Sequence, residues 1–240
     1  MSQIEPREWL FTMLRGMLVA VLPLVIVLSS LRLALTPAYV WVSYHVPAFP
    51  DDSYGFTLDE RLHWAGLSLD YLKNDAEIDY LGDLSFTDGS PLFNSRELMH
   101  MHDVKRLTQA ALGLWMAVVI VGGVAGLGLY WTNQRKVLGR ALITGGRLTI
   151  GLMIALALAL AVSFPFVFVG FHHLFFEGSS WLFFYSDTLI RLFPERFWQQ
   201  VFGFLVLSSL LVSWGLIVLG RWIAAVEAGR GAEGIPGKGR

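Results

Sequence analysis

The chain has 240 residues, of which 55% are hydrophobic and only 15% charged, with a mean hydropathy of +0.55 and a net charge of −1. Soluble domains carry roughly a quarter charged residues, so an ordinary soluble fold is excluded and a membrane protein is expected. The absence of cysteine removes disulfides, thiolate metal sites and a cysteine nucleophile; no nucleic-acid partner is expected.

Crossing the hydrocarbon takes roughly 20 apolar residues in helix, and four stretches qualify. Residues 1–35 hold a cytoplasmic N-terminus and the first span. Arg15 and Arg32 bracket its charge-free centre, both able to snorkel to an interface. A cleaved signal peptide is the competing reading; Pro37 and the long apolar zone favour a retained anchor. The other spans are 107–131, 148–171 and 201–222. Leu107–Trp131, Leu148–Phe171 and Val201–Gly220 contain no charge at all.

Lysine and arginine in the connections set the orientation. The segment 132–147 carries Arg135, Lys136, Arg140 and Arg147 and no acid. The tail, 223–240, is basic at its end through Arg230, Lys238 and Arg240. Segment 36–106 has twelve acids against five bases. Both termini and the middle connection are therefore expected in the cytoplasm, with 36–106 and 172–200 outside. All six histidines fall in the outward segments or at their membrane edges.

Within 36–106, Thr57 and Glu60 read as a capping box. Leu58, Leu62, Ala65, Leu69 and Leu72 then recur at helical spacing, with Asp59, Arg61 and Asp70 off that stripe. A helix packed on the bundle is preferred over one lying in the headgroup layer. Asp75–Pro91 reads as a turn or short hairpin. Asn94 and Glu97 form a second capping box, and no breaker follows, so Ser95–Trp131 is expected as one helix. On it Glu97, His100 and Asp103 share a face, whereas His102 lies about 200° from His100.

The third span ends in Phe171-His172-His173-Leu174-Phe175-Phe176, an aromatic interfacial belt. Beyond a Gly178-Ser179-Ser180 turn, Asp187 and Arg191 stand four apart, as a helical ion pair would. Gly122 and Gly126 in the second span form a GxxxG suited to close helix packing within the monomer.

Histidines at the outer mouth of a helical bundle suggest proton transfer near neutral pH. There is no G-x-S-x-G, HExxH or Walker motif. Acyl transfer needs no protein nucleophile if the substrate brings its own amine or hydroxyl. A catalytic metal held by His100, His102, His172 and His173 is the alternative, but no HxxxH or HxxHH box is present. Histidines that merely satisfy interfacial polar groups are the third reading.

Two blocks carry a family resemblance. Leu92-Phe93-Asn94-Ser95-Arg96-Glu97-Leu98-Met99-His100-Met101-His102-Asp103-Val104-Lys105 resembles the F-x-x-R-E-x-x-H-M-x-D-V-K block that precedes the second span in the Lit family. Phe171-His172-His173-Leu174-Phe175-Phe176, then Asp187 and Pro194-Glu195-x-Phe197, resembles that family's block after the third span. Both occur in order, at matching places in a four-span plan.

The resemblance implies an all-α membrane protein with four transmembrane helices and a long, partly helical first extracytoplasmic loop. It implies an acyltransferase of the bacterial plasma membrane, multi-pass, with an extracytoplasmic site. The sn-2 acyl chain of a diacylated lipoprotein would move to the amine of its own N-terminal cysteine, giving the lyso form, with membrane lipid as surroundings. His100 and His172 fall on the family's functional histidines, whereas His102 and His173 fall at variable positions. One imidazole would take a proton and the other give one. Glu97, Asp103, Lys105, Asp187 and Arg191 are candidate supporting groups, with Arg191 or Lys105 able to stabilise an oxyanion. No cofactor and no metal are expected. The runner-up readings are a metal-dependent membrane lipid hydrolase and a non-enzymatic lipid- or lipoprotein-binding protein.

Overall fold

Side-chain caps at Thr36, Thr57, Asn94 and Ser163 start four of the helices in the computed structural model, which describes residues 6–47 and 49–233. The tail charges Lys238 and Arg240 lie outside the described residues. In chain order the helices are α1 (Pro6–Ala34), α2 (Pro37–Tyr44), α3 (Leu58–Lys73), α4 (Asp79–Gly82), α5 (Ser95–Trp131), α6 (Arg135–Val162), α7 (Phe164–Phe175), α8 (Thr188–Leu192) and α9 (Glu195–Glu233). No strand occurs among the described residues; one isolated bridge joins Ser85 to Pro91. α1, α5, α6 and α9 each contain a stretch long and apolar enough to cross a membrane. The protein is all-α with four such helices.

The chain divides into two units. The first holds residues 6–29, 114–156 and 206–233 of the described chain, that is, parts of the four long helices with the basic connection between α5 and α6. Glycine lets two of these backbones approach where a side chain could not fit. A Cβ on Gly139 of α6 would lie 2.7 Å from the Gly220 carbonyl of α9, and one on Gly220 would lie 2.6 Å from the Gly139 carbonyl. Small residues serve this purpose in membranes, where packing rather than hydrophobicity drives helix association. The expected GxxxG of α5 contributes less. Gly122 faces Val21 of α1, but nothing stands within 4 Å of a Cβ built on Gly126. Leu18, Leu22, Ala125, Leu129, Ala141 and Leu142 form the buried cluster here.

The second unit, residues 30–113 and 157–205, carries the short helices. Its core includes Val40 and Tyr44 of α2, Ala65, Leu69, Tyr71 and Leu72 of α3, and Leu92, Leu189, Leu192 and Phe197. The Thr57–Glu60 capping box forms as expected. The stripe on α3 packs into this core from Leu62 onward, whereas Leu58 stays exposed. Arg61, off the stripe, is nevertheless buried. Its guanidinium lies over Tyr44 and Phe49 and donates to the Pro50 carbonyl at 2.8 Å. Asp75–Pro91 contains the four-residue α4 and then a tight reversal, in which Phe86 N–H donates to Ser90 O and Leu92 N–H to Leu84 O.

The expected third span, 148–171, is not one helix. α6 ends at Val162, and Ser163 caps a new helix, its Oγ accepting the Phe166 amide at 3.2 Å. Pro165 lacks the N–H that would continue the α6 ladder to the Ala161 carbonyl but is at home in the first turn of a new helix, so the chain restarts as α7.

Candidate active site

The site is assembled around the first turn of α5. Asn94 caps it: Oδ1 accepts the Glu97 amide at 3.1 Å, and Glu97 Oε2 accepts the Asn94 amide at 2.8 Å. The second Glu97 oxygen, Oε1, accepts the Leu189 amide of α8 at 2.7 Å. One buried carboxylate, 1% exposed, thus fastens the start of α8 to the start of α5. Burial pushes the Glu97 carboxyl upward in pKa and outweighs the two amides that favour its charge. Asp187 adds to the clasp by accepting from Asn94 Nδ2 at 3.2 Å and from the Phe184 amide at 2.9 Å, with Arg96 at 3.9 Å. Thr188 donates its hydroxyl to the Leu92 carbonyl.

One turn after Glu97, on the same face, His100 is buried at 8% exposure; His172, in the last turn of α7, is buried at 7%. The two rings stack, with centroids 6.1 Å apart and planes 22° from parallel. Aromatic rings enclose them. Phe176 and Phe183 stand 4.8 and 5.3 Å from His100, and Phe168 and Trp181 stand 4.2 and 4.8 Å from His172.

This surrounding fixes the chemistry of both imidazoles. Burial lowers His100 to about 4, helped by the neighbouring His172 and only partly opposed by Asp103. Burial also lowers His172, against the opposing effect of the Phe168 carbonyl. Both are therefore neutral at pH 7. A carbonyl oxygen can only accept, so the 2.8 Å contact between His172 Nδ1 and Phe168 O puts the ring proton on Nδ1. Nε2 of His172 then carries the free lone pair.

The other candidate residues go elsewhere. His102 is exposed and lies 3.7 Å from Asp103, which is itself partly exposed. His173 is exposed and meets the edge of the Trp181 ring at 5.3 Å. Lys105 donates to the Ala76 carbonyl and, at 3.3 Å, to Asn74 Oδ1, with its ammonium 4.1 Å from the Tyr71 ring centre. Arg191 does not pair with Asp187. It binds Asp52 through Nε and Nη2, because α8 is a single short turn whose N-cap, Asp187, is held toward Asn94. Both cations expected to face an oxyanion are thus engaged by other partners. Among the described residues no group of three or more His, Asp or Glu is gathered as a metal-ligand set. Phe168, Phe183 and Trp181 are not singled out by the sequence; Phe183 and Trp181 follow the glycine turn at Gly178, and Phe168 stands one turn before His172 in α7.

Fold and site first define a class, a polytopic α-helical membrane protein with a buried histidine pair inside an aromatic cage. The sequence profile of "Lipoprotein intramolecular transacylase Lit" matches residues 16–198. The chain belongs to this family, and is an acyltransferase of the lipoprotein intramolecular transacylase type that acts on lipoproteins in the membrane. A protein of Aquifex aeolicus (strain VF5), described only as uncharacterized, is 29% identical over 202 residues, covering 84% of this chain and 89% of that one. Solved structures of the lipoprotein intramolecular transacylase Lit from Bacillus cereus share the fold at 21% identity. One superposes with a TM-score of 0.66 over 91% of this chain and 97% of that one. Another, with a histidine replaced by alanine, gives 0.70 over 92% and 97%.

Proposed function

We propose that the protein moves the sn-2 acyl chain of a diacylated lipoprotein onto the α-amine of the same N-terminal cysteine, using His172 and His100, at the extracytoplasmic face of the bacterial plasma membrane. The observation that carries this reading is the neutral, buried histidine pair whose His172 Nδ1 is tied to the Phe168 carbonyl. The reaction breaks the ester C–O bond, forms an amide C–N bond, and shifts one proton from nitrogen to the glycerol oxygen. His172 Nε2 accepts that proton as the amine attacks and returns it to the departing oxygen, so no proton is exchanged with solvent. His100 is too weakly basic to hold a proton at pH 7. It serves as a neutral N–H donor beside the developing charge, much as a neutral imidazole can act as an electrophile. This replaces the simpler division in which one ring takes a proton and the other gives one.

The aromatic cage favours acyl chains and keeps water from competing with the amine. The proposed side of the membrane rests on the basic 132–147 connection, in which Arg135 pairs with Glu227 at 3.3 Å. The test is mass spectrometry of a synthetic diacylglyceryl lipopeptide, labelled in the sn-2 chain, after incubation with the purified protein. The expected product has unchanged mass and carries the label on nitrogen. Loss of the acyl chain as free fatty acid would instead support the lipid-hydrolase reading. Sidedness is tested by single cysteines at the exposed positions Asp88 and Thr132, which are expected to label from outside and inside respectively.

A further inference from the structure

Trp181 is the most buried ring-bearing donor near the histidines that has no use in the scheme above. It is 9% exposed, and its Nε1 is wholly buried with no hydrogen-bond acceptor among the described residues. A buried indole N–H ordinarily finds a partner, because leaving a donor unpaired costs about 1–3 kcal/mol. Such a group in a native structure calls for an explanation. Its ring lies 4.8 Å from that of His172. It follows a turn made by Gly178, whose φ of +65° suits glycine and directs the segment back toward the end of α7. The neighbouring Ser180 Oγ is likewise buried and without a partner.

Acyl transfer from an ester to an amine builds negative charge on the former carbonyl oxygen. Donors set in advance where that charge develops supply a large part of the rate. Arg191 and Lys105, the cations able to do this, are held by Asp52 and by Ala76 and Asn74. We propose that Trp181 Nε1–H donates a hydrogen bond to the oxyanion of the tetrahedral intermediate and is a catalytic residue of the transfer. This rests on the histidine-site reading. The N–H takes no proton and gives none; the charge it steadies collapses when the glycerol oxygen leaves with the proton from His172. A neutral donor fits an apolar cage, since a lysine or arginine there would carry a desolvation cost that an indole does not.

The test compares two replacements in the full-length protein with the labelled diacylglyceryl lipopeptide. Trp181→Phe keeps an aromatic ring. Replacing Trp181 by β-(3-benzothienyl)alanine keeps the bicyclic shape and exchanges N–H for sulfur. Both are expected to lower kcat by about 10²-fold, the scale of losing one oxyanion donor, with KM within threefold and melting temperature unchanged for the benzothienyl variant. Wild-type kcat in the benzothienyl variant overturns the assignment, whatever Trp181→Phe does, as does an effect confined to KM. His172→Ala is assayed alongside. If it is inactive while the benzothienyl variant is fully active, only the role of Trp181 fails. If His172→Ala is fully active, the underlying site reading fails with it.

Discussion

The guanidinium of Arg191 grips the carboxylate of Asp52, 139 residues earlier in the chain, with Nη2 2.9 Å from Oδ2 and Nε 3.2 Å from Oδ1. It also lies 3.6 Å from the centre of the Phe56 ring. Both side chains are almost completely buried. Burial alone would raise the Asp52 carboxyl, but Arg191, the Phe56 amide and Arg61 outweigh it and hold the carboxyl below its usual range. Asp52→Ala is therefore expected to destabilise the protein by about 3–5 kcal/mol, since it strands a buried charge. Arg191→Lys is expected to recover little of the wild-type stability, because a point ammonium cannot reproduce a planar, stacked, two-nitrogen contact. Asp52→Leu with Arg191→Met should be milder than either single loss. Thermal unfolding in detergent reads all four proteins, and equal stability of Asp52→Ala and wild type would show that the pair contributes nothing.

The histidine pair makes a kinetic prediction. His172→Ala is expected to cut turnover by about 10²–10⁴-fold, as loss of a general base does, and His100→Ala to cause a loss toward the lower end of that range. The double variant should be little worse than His172→Ala, since groups that act as one unit are not additive. His102→Ala and His173→Ala should stay within a few-fold of wild type. Equal losses at all four positions would point to a shared ligand set or a shared structural role.

Acid should weaken the fold through the same pair. The folded protein holds His100 at about 4 and His172 below its usual value, so it binds fewer protons than the unfolded chain does just under pH 6.5. Stability contributed by these neutral rings is full above about 6.5 and is lost as pH falls toward the folded-state values. Melting temperature is expected to drop between pH 7 and 4.5, and to drop less in His100→Gln. An identical drop in that variant would assign the acid sensitivity to other groups.

Glu97 is expected to position rather than react. Glu97→Ala removes the acceptor for both the Asn94 and the Leu189 amides, and should cost about 1–3 kcal/mol. Because α8 and the 184–189 segment are held through it, kcat is expected to fall with the melting temperature. Lowering the assay temperature should restore part of the activity, which would not happen if the carboxylate took part in chemistry.

The contact of α6 with α9 is tested by size. Gly220→Ala would force a methyl group to within 2.6 Å of the Gly139 carbonyl, so the backbones must separate. Gly126→Ala, with open space around it, serves as the control. The first is expected to lower melting temperature and folded yield, and the second to leave both near wild type.

Much of this molecule is written in local patterns. Three charge-free runs of twenty or more residues, and a shorter one between Arg15 and Arg32, lie in four membrane-length helices because the hydrocarbon sets that length and leaves backbone groups no other partner. The Thr57–Glu60 and Asn94–Glu97 boxes were legible because a cap and its reciprocal acceptor stand three residues apart. The i, i+3 spacing brings Glu97 and His100 to one buried face, and the offset of about 200° turns His102 away from it.

What the sequence did not disclose depends on partners distant along the chain. Asp187 and Arg191 have the spacing of a helical pair, yet Asp52 offers Arg191 a more enclosed contact. Lys105 lies inside a family-like block, but its ammonium is spent on Ala76 and Asn74. Ser163 and Pro165 were local signals, hidden inside a run read for hydropathy alone. The solitary N–H of Trp181 has no local signature whatever, because a missing acceptor is a property of everything packed around a group. Spacing along one helix can place a histidine on a face. Only the tertiary fold decides which ring it meets, how deeply both are buried, and therefore that both stay neutral and which nitrogen holds the proton.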